Sequence, residues 1–229
     1  MLCSGYFEIH RREFLRVGST ALLAIGASLP QEATAQEKIK TSAHILIVGS
    51  GLGGIAIASR LQQGLEGARI TLLDRKEEHN YQPGYTLVGT GIWPVHKVRD
   101  RNSDFQPAGV HWIKEMAAGF DPHNNTVITD SGQRIRYDFL VIASGVHLDY
   151  AQIAGMDPAA IGQNGLASVY YGPQGAEATW KAMQAFCEKG GQAVMTLPAT
   201  PLKCAGAPLK TTFMLRDRLK QSGRLSRST

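Results

Sequence analysis

Three glycines at fixed spacing, Gly49, Gly51 and Gly54, constrain this chain more than any other feature. They follow His44-Ile-Leu-Ile-Val48, in which Ile45 to Val48 form the continuous apolar run expected of a central parallel strand buried on both faces. Gly53 to Leu61 then reads as a helix. In such an arrangement Gly49 allows the tight turn and Gly51 lets backbone approach a pyrophosphate. Gly54, beside Gly53, lets helix and strand pack closely, and the helix N-terminus faces the negative charge. A second strand, Arg69 to Asp74, ends in an acid placed where a ribose hydroxyl needs an acceptor. Arg75, next in sequence, joins Asp74 in the candidate cofactor-binding set. A lone G-x-G-x-x-G is weak evidence; strand before, helix after and an acid at the end of the next strand make it a dinucleotide site. The competing readings are a glycine-rich surface turn, and for Asp74 an ordinary solvated strand end.

Composition sets outer bounds. The 229 residues are 43% hydrophobic and carry charges of both signs, enough for one or two globular domains. The net charge of +5 invites a nucleic-acid reading, but the Lys and Arg are scattered and form no basic stripe interleaved with aromatics, which argues against it. Three cysteines cannot build a disulfide framework, so any cysteine role is local chemistry or a single bridge.

The N-terminus has its own logic. Arg11-Arg12-x-Phe14-Leu15 precedes Val17 to Leu29, an apolar run too short to span a bilayer comfortably, and Ala33-Thr-Ala35 supplies small residues for cleavage. The segment resembles a twin-arginine export signal, which carries already folded proteins; an uncleaved amphipathic helix is the alternative. Residues 1–35 are therefore expected to be a signal peptide, with a mature, periplasmic chain beginning near Gln36. Cys3 leaves with the signal.

Beyond Asp74, residues 75–93 are rich in turn formers and aromatics, including Tyr81 and Pro83, and read as an irregular loop beside the cofactor-binding strand. Val110 to Ile113 reads as a strand. Thr126–Thr129 and Gln133–Tyr137 flank the turn Asp130-Ser-Gly132 like the arms of a hairpin. Tyr137-Asp-Phe-Leu-Val-Ile-Ala-Ser-Gly145 is an apolar strand closing on Ala143, Ser144 and Gly145, which lets backbone sit against a second face of the dinucleotide. It resembles the Y-D-x-L-V-I-A-[ST]-G signature of two-dinucleotide-fold flavoproteins. One glycine loop serves NAD or FAD equally; the pair, in this order, points to FAD.

Past a polar connection, a helix is expected over roughly Gly175 to Glu188, ended by Gly190-Gly191. Cys187 falls in its last turn and reads as a structural thiol. A strand, Gln192 to Leu197, should run into Pro198–Lys210, followed by a helix through Leu219 with Pro208 in its first turn. Cys204 thus precedes a helix N-terminus, between Lys203 and Lys210, a setting that favours thiolate over thiol.

Lys203-Cys-Ala-Gly-Ala-Pro-x-Lys210 resembles the cysteine motif of sulfide:quinone oxidoreductases, and His79-x-Tyr81-Gln-Pro83 with Thr86-Leu-Val-Gly89 resembles the loop that approaches the flavin in that family. The resemblance covers essentially the whole mature chain. It implies that Cys204 is one member of a redox pair whose partner stands far downstream, that Lys210 helps hold a thiolate or persulfide anion, that sulfide is the substrate, that electrons pass through FAD to quinone, and that the intact protein associates peripherally with a membrane. Two relatives compete. The flavin subunit of flavocytochrome c sulfide dehydrogenase, which passes electrons to a cytochrome, usually attaches FAD through a first-domain cysteine, and residues 36–186 contain no cysteine. Type II NADH dehydrogenases share the glycine motifs but lack this cysteine motif.

The expected architecture is α/β: a Rossmann-like FAD-binding segment over 36–150, of the two-dinucleotide-binding-domain flavoprotein type, then the start of a second dinucleotide-like domain over 151–229. The family continues for roughly as long again, so a truncated product without activity is the remaining expectation.

Overall fold

The computed structural model describes residues 37–197 and 204–227, of which those from Ile39 onward form one unit. The signal-like segment 1–35 and the stretch from Pro198 to Lys203 lie outside the described residues. In chain order the strands are β1 (Ile39–Lys40), β2 (His44–Val48), β3 (Leu65–Glu66), β4 (Arg69–Leu73), β5 (Glu78–Asn80), β6 (Arg99–Arg101), β7 (His111–Ile113), β8 (Ala117–Asp121), β9 (Thr126–Thr129), β10 (Arg134–Arg136) and β11 (Phe139–Ile142). The α-helices are α1 (Leu52–Gly64), α2 (Tyr85–Gly89), α3 (Pro173–Lys189) and α4 (Ala207–Gln221).

A four-stranded parallel sheet, ordered β11-β2-β4-β7, carries the molecule's organisation. Its central strand explains the unbroken apolar run. Alternate side chains leave opposite faces of a strand, so Ile45 and Ile47 pack under α1 with Ile55, Ala58, Ile70, Leu72 and Val110. Leu46 and Val48 face the other way, onto Leu73, Val127 and Ile135. That second face is covered by an antiparallel sheet, β10-β9-β8, rather than by a helix. The expected hairpin is its β9–β10 part: Arg134 pairs with Ile128 and Arg136 with Thr126, around Gly132 at φ 88°.

The connection expected to be irregular holds more structure than its composition suggests. β5 pairs antiparallel with β6, residues Gln82–Gly84 make a 3-10 turn, and α2 follows. Tyr85, Val88 and Val98 form a second core with Ala176 of α3. A third joins Met183 of α3 to Leu215 and Leu219 of α4.

One element departs from expectation. Gln192–Leu197 runs without a strand ladder, and Val194, Met195 and Leu197 are exposed. An apolar run becomes a strand only where another strand supplies hydrogen-bond partners, and none of the described strands pairs with it. α3 and α4 form as expected, with Pro208 in the first turn of α4.

Candidate functional site

The carboxyl ends of three strands meet at the glycine loop. Gly49 N–H donates to the Leu73 carbonyl (2.9 Å) and Ala143 N–H to the Val48 carbonyl (2.7 Å), aligning β4, β2 and β11 at one edge. Strand order reverses at β2, with β4 on one side through α1 and β11 on the other. Such a switch point is where open α/β sheets bind ligands.

Gly49 adopts φ 108°, and a Cβ there would stand 2.4 Å from the Ala143 carbonyl oxygen and 3.0 Å from Ser144 N. The two glycine-bearing signatures are therefore in direct contact. At Gly54 a Cβ would fall 1.8 Å from the Gly49 carbonyl oxygen, so α1 reaches the loop only because that side chain is a hydrogen. Gly51 and Gly145 have no atom within 4 Å of a Cβ position, and Gly51 and Gly53 are exposed. No side chain caps α1, whose first turn holds no acid. Its opening N–H groups receive no side-chain acceptor, and an anionic diphosphate fits such a donor set.

Behind the loop sits a polar network that the sequence did not announce. Asp74 Oδ2 accepts from Ser50 N (2.8 Å) and Ser50 Oγ (3.1 Å), and Asp74 Oδ1 accepts from Lys76 N (2.8 Å). A carboxylate has about four lone-pair sites, so Asp74, half-buried, keeps capacity for a ribose hydroxyl. Asn102, buried at 3% exposure, donates to Ser50 Oγ (2.8 Å) and to the Lys76 carbonyl (2.6 Å), while its Oδ1 meets His79 Nδ1 at 2.9 Å. Trp112 Nε1 donates to the Asp74 carbonyl (2.8 Å). Ser50 is visible in sequence only as the x of G-x-G, and Asn102 belongs to no motif. Asp138 explains the start of its own signature: its Oδ2 accepts from His44 N (2.7 Å), pinning β11 beside β2.

The other sequence-designated residues occupy distinct places. Arg75 forms an ion pair with Asp130 in the β9–β10 turn. Tyr81 is half exposed, its ring 6.4 Å from that of Trp93, and Pro83 lies in the 3-10 turn before α2. Cys204 is exposed two residues before the N-cap of α4. Its carbonyl accepts from Ala207 N (3.0 Å), so that amide is given to the cysteine's backbone and not to its sulfur. Lys210 is exposed in the first turn of the same helix. That helix is anchored through Arg218, whose Nε donates to the Thr90 carbonyl at 3.1 Å, just past α2. Cys187 is half-buried among Met183, Leu215 and Leu219. Burial pushes its thiol up, against the pull of Arg218 and Arg224, and keeps it protonated. No cluster of three or more potential metal ligands occurs among the described residues.

Known proteins share this arrangement. Residues 43–174 match the model of a family described as pyridine nucleotide-disulphide oxidoreductase. The mitochondrial sulfide:quinone oxidoreductase of Mus musculus is 36% identical over 189 residues, covering 81% of this chain and 40% of that protein. The sulfide-quinone reductase of Aquifex aeolicus is 29% identical over 185 residues, covering 79% of this chain and 40% of its own. The crystal structure of the sulfide:quinone oxidoreductase from Aquifex aeolicus superposes with a TM-score of 0.65 at 27% identity, over 81% of this chain and 42% of that one. The chain spans about two fifths of the length of the curated relatives it matches.

Proposed function

Because the chain belongs to the pyridine nucleotide-disulphide oxidoreductase family, whose members are FAD-dependent oxidoreductases, we propose that its crevice holds FAD in an intact protein that oxidises sulfide and delivers the electrons to a quinone. The contact of Gly49 with Ala143 carries the FAD part of this reading, since it joins the two backbone segments a dinucleotide needs into one cradle. The sulfide and quinone rest on the named relatives, whose likeness extends over about four fifths of this chain. In this reading the N–H groups opening α1 bind the diphosphate, with Gly51 and Gly53 allowing close approach. Asp74 accepts from the ribose, Arg75 borders it, and Ala143 to Gly145 offer bare backbone to the opposite side. Tyr81 and Pro83 belong to the loop that would face the flavin ring. FAD, when bound, supplies a two-electron acceptor. Cys204 is the thiol exposed to substrate, one half of a redox pair completed further along the intact protein, and the Lys210 ammonium offsets the charge of its thiolate or persulfide. Export through the twin-arginine route would deliver the protein folded and loaded to the periplasm, where peripheral contact with the membrane gives access to quinone.

The test is the visible spectrum of the purified chain before and after anaerobic sulfide. A flavin band that bleaches supports the reading; protein that stays colourless when supplied with FAD counts against it for this chain. In the intact protein, Cys204→Ser should retain FAD yet lose sulfide-dependent flavin reduction by about two orders of magnitude or more, the loss typical of a removed nucleophile. Unchanged reduction would overturn the cysteine's role. Reduction of a short-chain quinone, in preference to cytochrome c, separates the quinone acceptor from a cytochrome.

A further inference from the structure

The polar network behind the glycine loop has a direction. The Lys76 carbonyl can only accept, so the Asn102 atom 2.6 Å from it is the amide nitrogen, and the opposite orientation would set two acceptor oxygens together. The same nitrogen's second hydrogen goes to Ser50 Oγ (2.8 Å), and that hydroxyl turns its own proton to Asp74 Oδ2 (3.1 Å), the nearer and charged one of its two acceptors, the other being the Lys76 carbonyl at 3.4 Å. Asn102 Oδ1 is then an acceptor facing His79 Nδ1 at 2.9 Å, which must carry a hydrogen. Donors thus run one way, from imidazole through amide and hydroxyl to carboxylate, and each link polarises the next. Ser50 is 1% and Asn102 3% exposed, so an unmade link would leave a buried polar group without a partner.

We propose that Asn102 is a positioning residue with two outputs: it holds Ser50 and Asp74 in register for the cofactor's ribose, and it fixes His79 as the Nδ1–H tautomer. The ring's other nitrogen, Nε2, is left as the acceptor. His79 and Asn102 sit on the antiparallel β5–β6 pair and just after it, while Ser50 belongs to the glycine loop, so the network also ties that ribbon to the cradle. The ribose output rests on FAD as the ligand; the tautomer does not.

Two readouts separate these outputs. Long-range 15N–1H correlation spectra of the full chain should show His79 protonated at Nδ1 at a pH where the ring is neutral, and Asn102→Ala should move that proton to Nε2. Titration with FAD should show Asn102→Ala weakening binding about tenfold, the equivalent of roughly 1.4 kcal/mol. Ser50→Ala should weaken FAD to a similar extent while leaving the tautomer in place, because the Lys76 carbonyl still orients the amide. An Nε2–H tautomer in the unmutated protein, or an unchanged one in Asn102→Ala, overturns the proposal, and the first of these needs no variant to fold. Failure of the unmutated chain to bind FAD would sink the cofactor reading but not the tautomer.

Discussion

At the scale of single residues, two kinds of glycine can be told apart by what a methyl group would meet. Gly49 combines a left-handed φ of 108° with a carbonyl oxygen 2.4 Å from the Cβ position, so Gly49→Ala must displace β2 from β11. A cost of about 3 kcal/mol or more is expected, visible as a lowered urea midpoint. Gly132, with φ 88° and open space around it, bears only the conformational penalty, and Gly132→Ala should cost about 1 kcal/mol. Equal effects would mean that the contact with Ala143 is not what demands glycine at 49. His44 gives a pH-dependent counterpart. Its Nδ1 meets an Arg69 guanidinium at 2.7 Å and its Nε2 the Thr71 hydroxyl at 2.9 Å, which holds the buried ring neutral. Burial and then Arg69 press its pKa below the ordinary value of 6.5, with His111 adding to them, while the Arg136 backbone and Asp138 act in the opposite sense. The unfolded chain binds the proton that the native ring refuses, so this stability is present above pH 6.5 and is lost as pH falls through the unfolded value towards the folded one. Urea midpoints should drop between about pH 7.5 and 5.5, and His44→Gln should shrink that drop.

At the scale of elements, what was legible in the sequence was what depends on near neighbours. The β2–loop–α1 unit showed because its apolar run, its glycines and its helix are contiguous, and the β9–β10 hairpin because Asp130-Ser-Gly132 encodes its own turn. The strand expected over Gln192–Leu197 failed for the complementary reason: β-structure is a relation between strands, and apolar residues alone do not supply the second one. Asn102 was invisible because its meaning lies in four groups drawn from positions 50, 74, 76 and 79. The resemblance around Cys204 identified a motif but not its local bonding, which engages the cysteine's carbonyl with Ala207. The central strand makes its own prediction. Leu46 is fully buried between β4, β11 and the antiparallel cover, so Leu46→Ala should cost about 2–5 kcal/mol. The exposed Leu209→Ala on α4 should change stability by about 0.5 kcal/mol or less. Denaturant titration of the two variants checks the contrast.

At the scale of the whole molecule, β11 crosses from one edge of the parallel sheet to the other, since β7 precedes it at the far side and the antiparallel β8–β10 cover lies between them in sequence. The cradle is therefore assembled from backbone made at two separate times. Ala143 lies 94 positions after Gly49, the same separation that divides His44 from its partner Asp138. At a synthesis rate of about 5–20 residues per second, the glycine loop waits roughly 5–20 seconds on the ribosome before the segment that completes its site exists. During that interval β2 has one edge unpaired and α1 opens onto water. Cofactor capture is consequently a late event in the life of the nascent chain, and the arrival of β11, not of the glycine motif, is the step that starts the clock for loading.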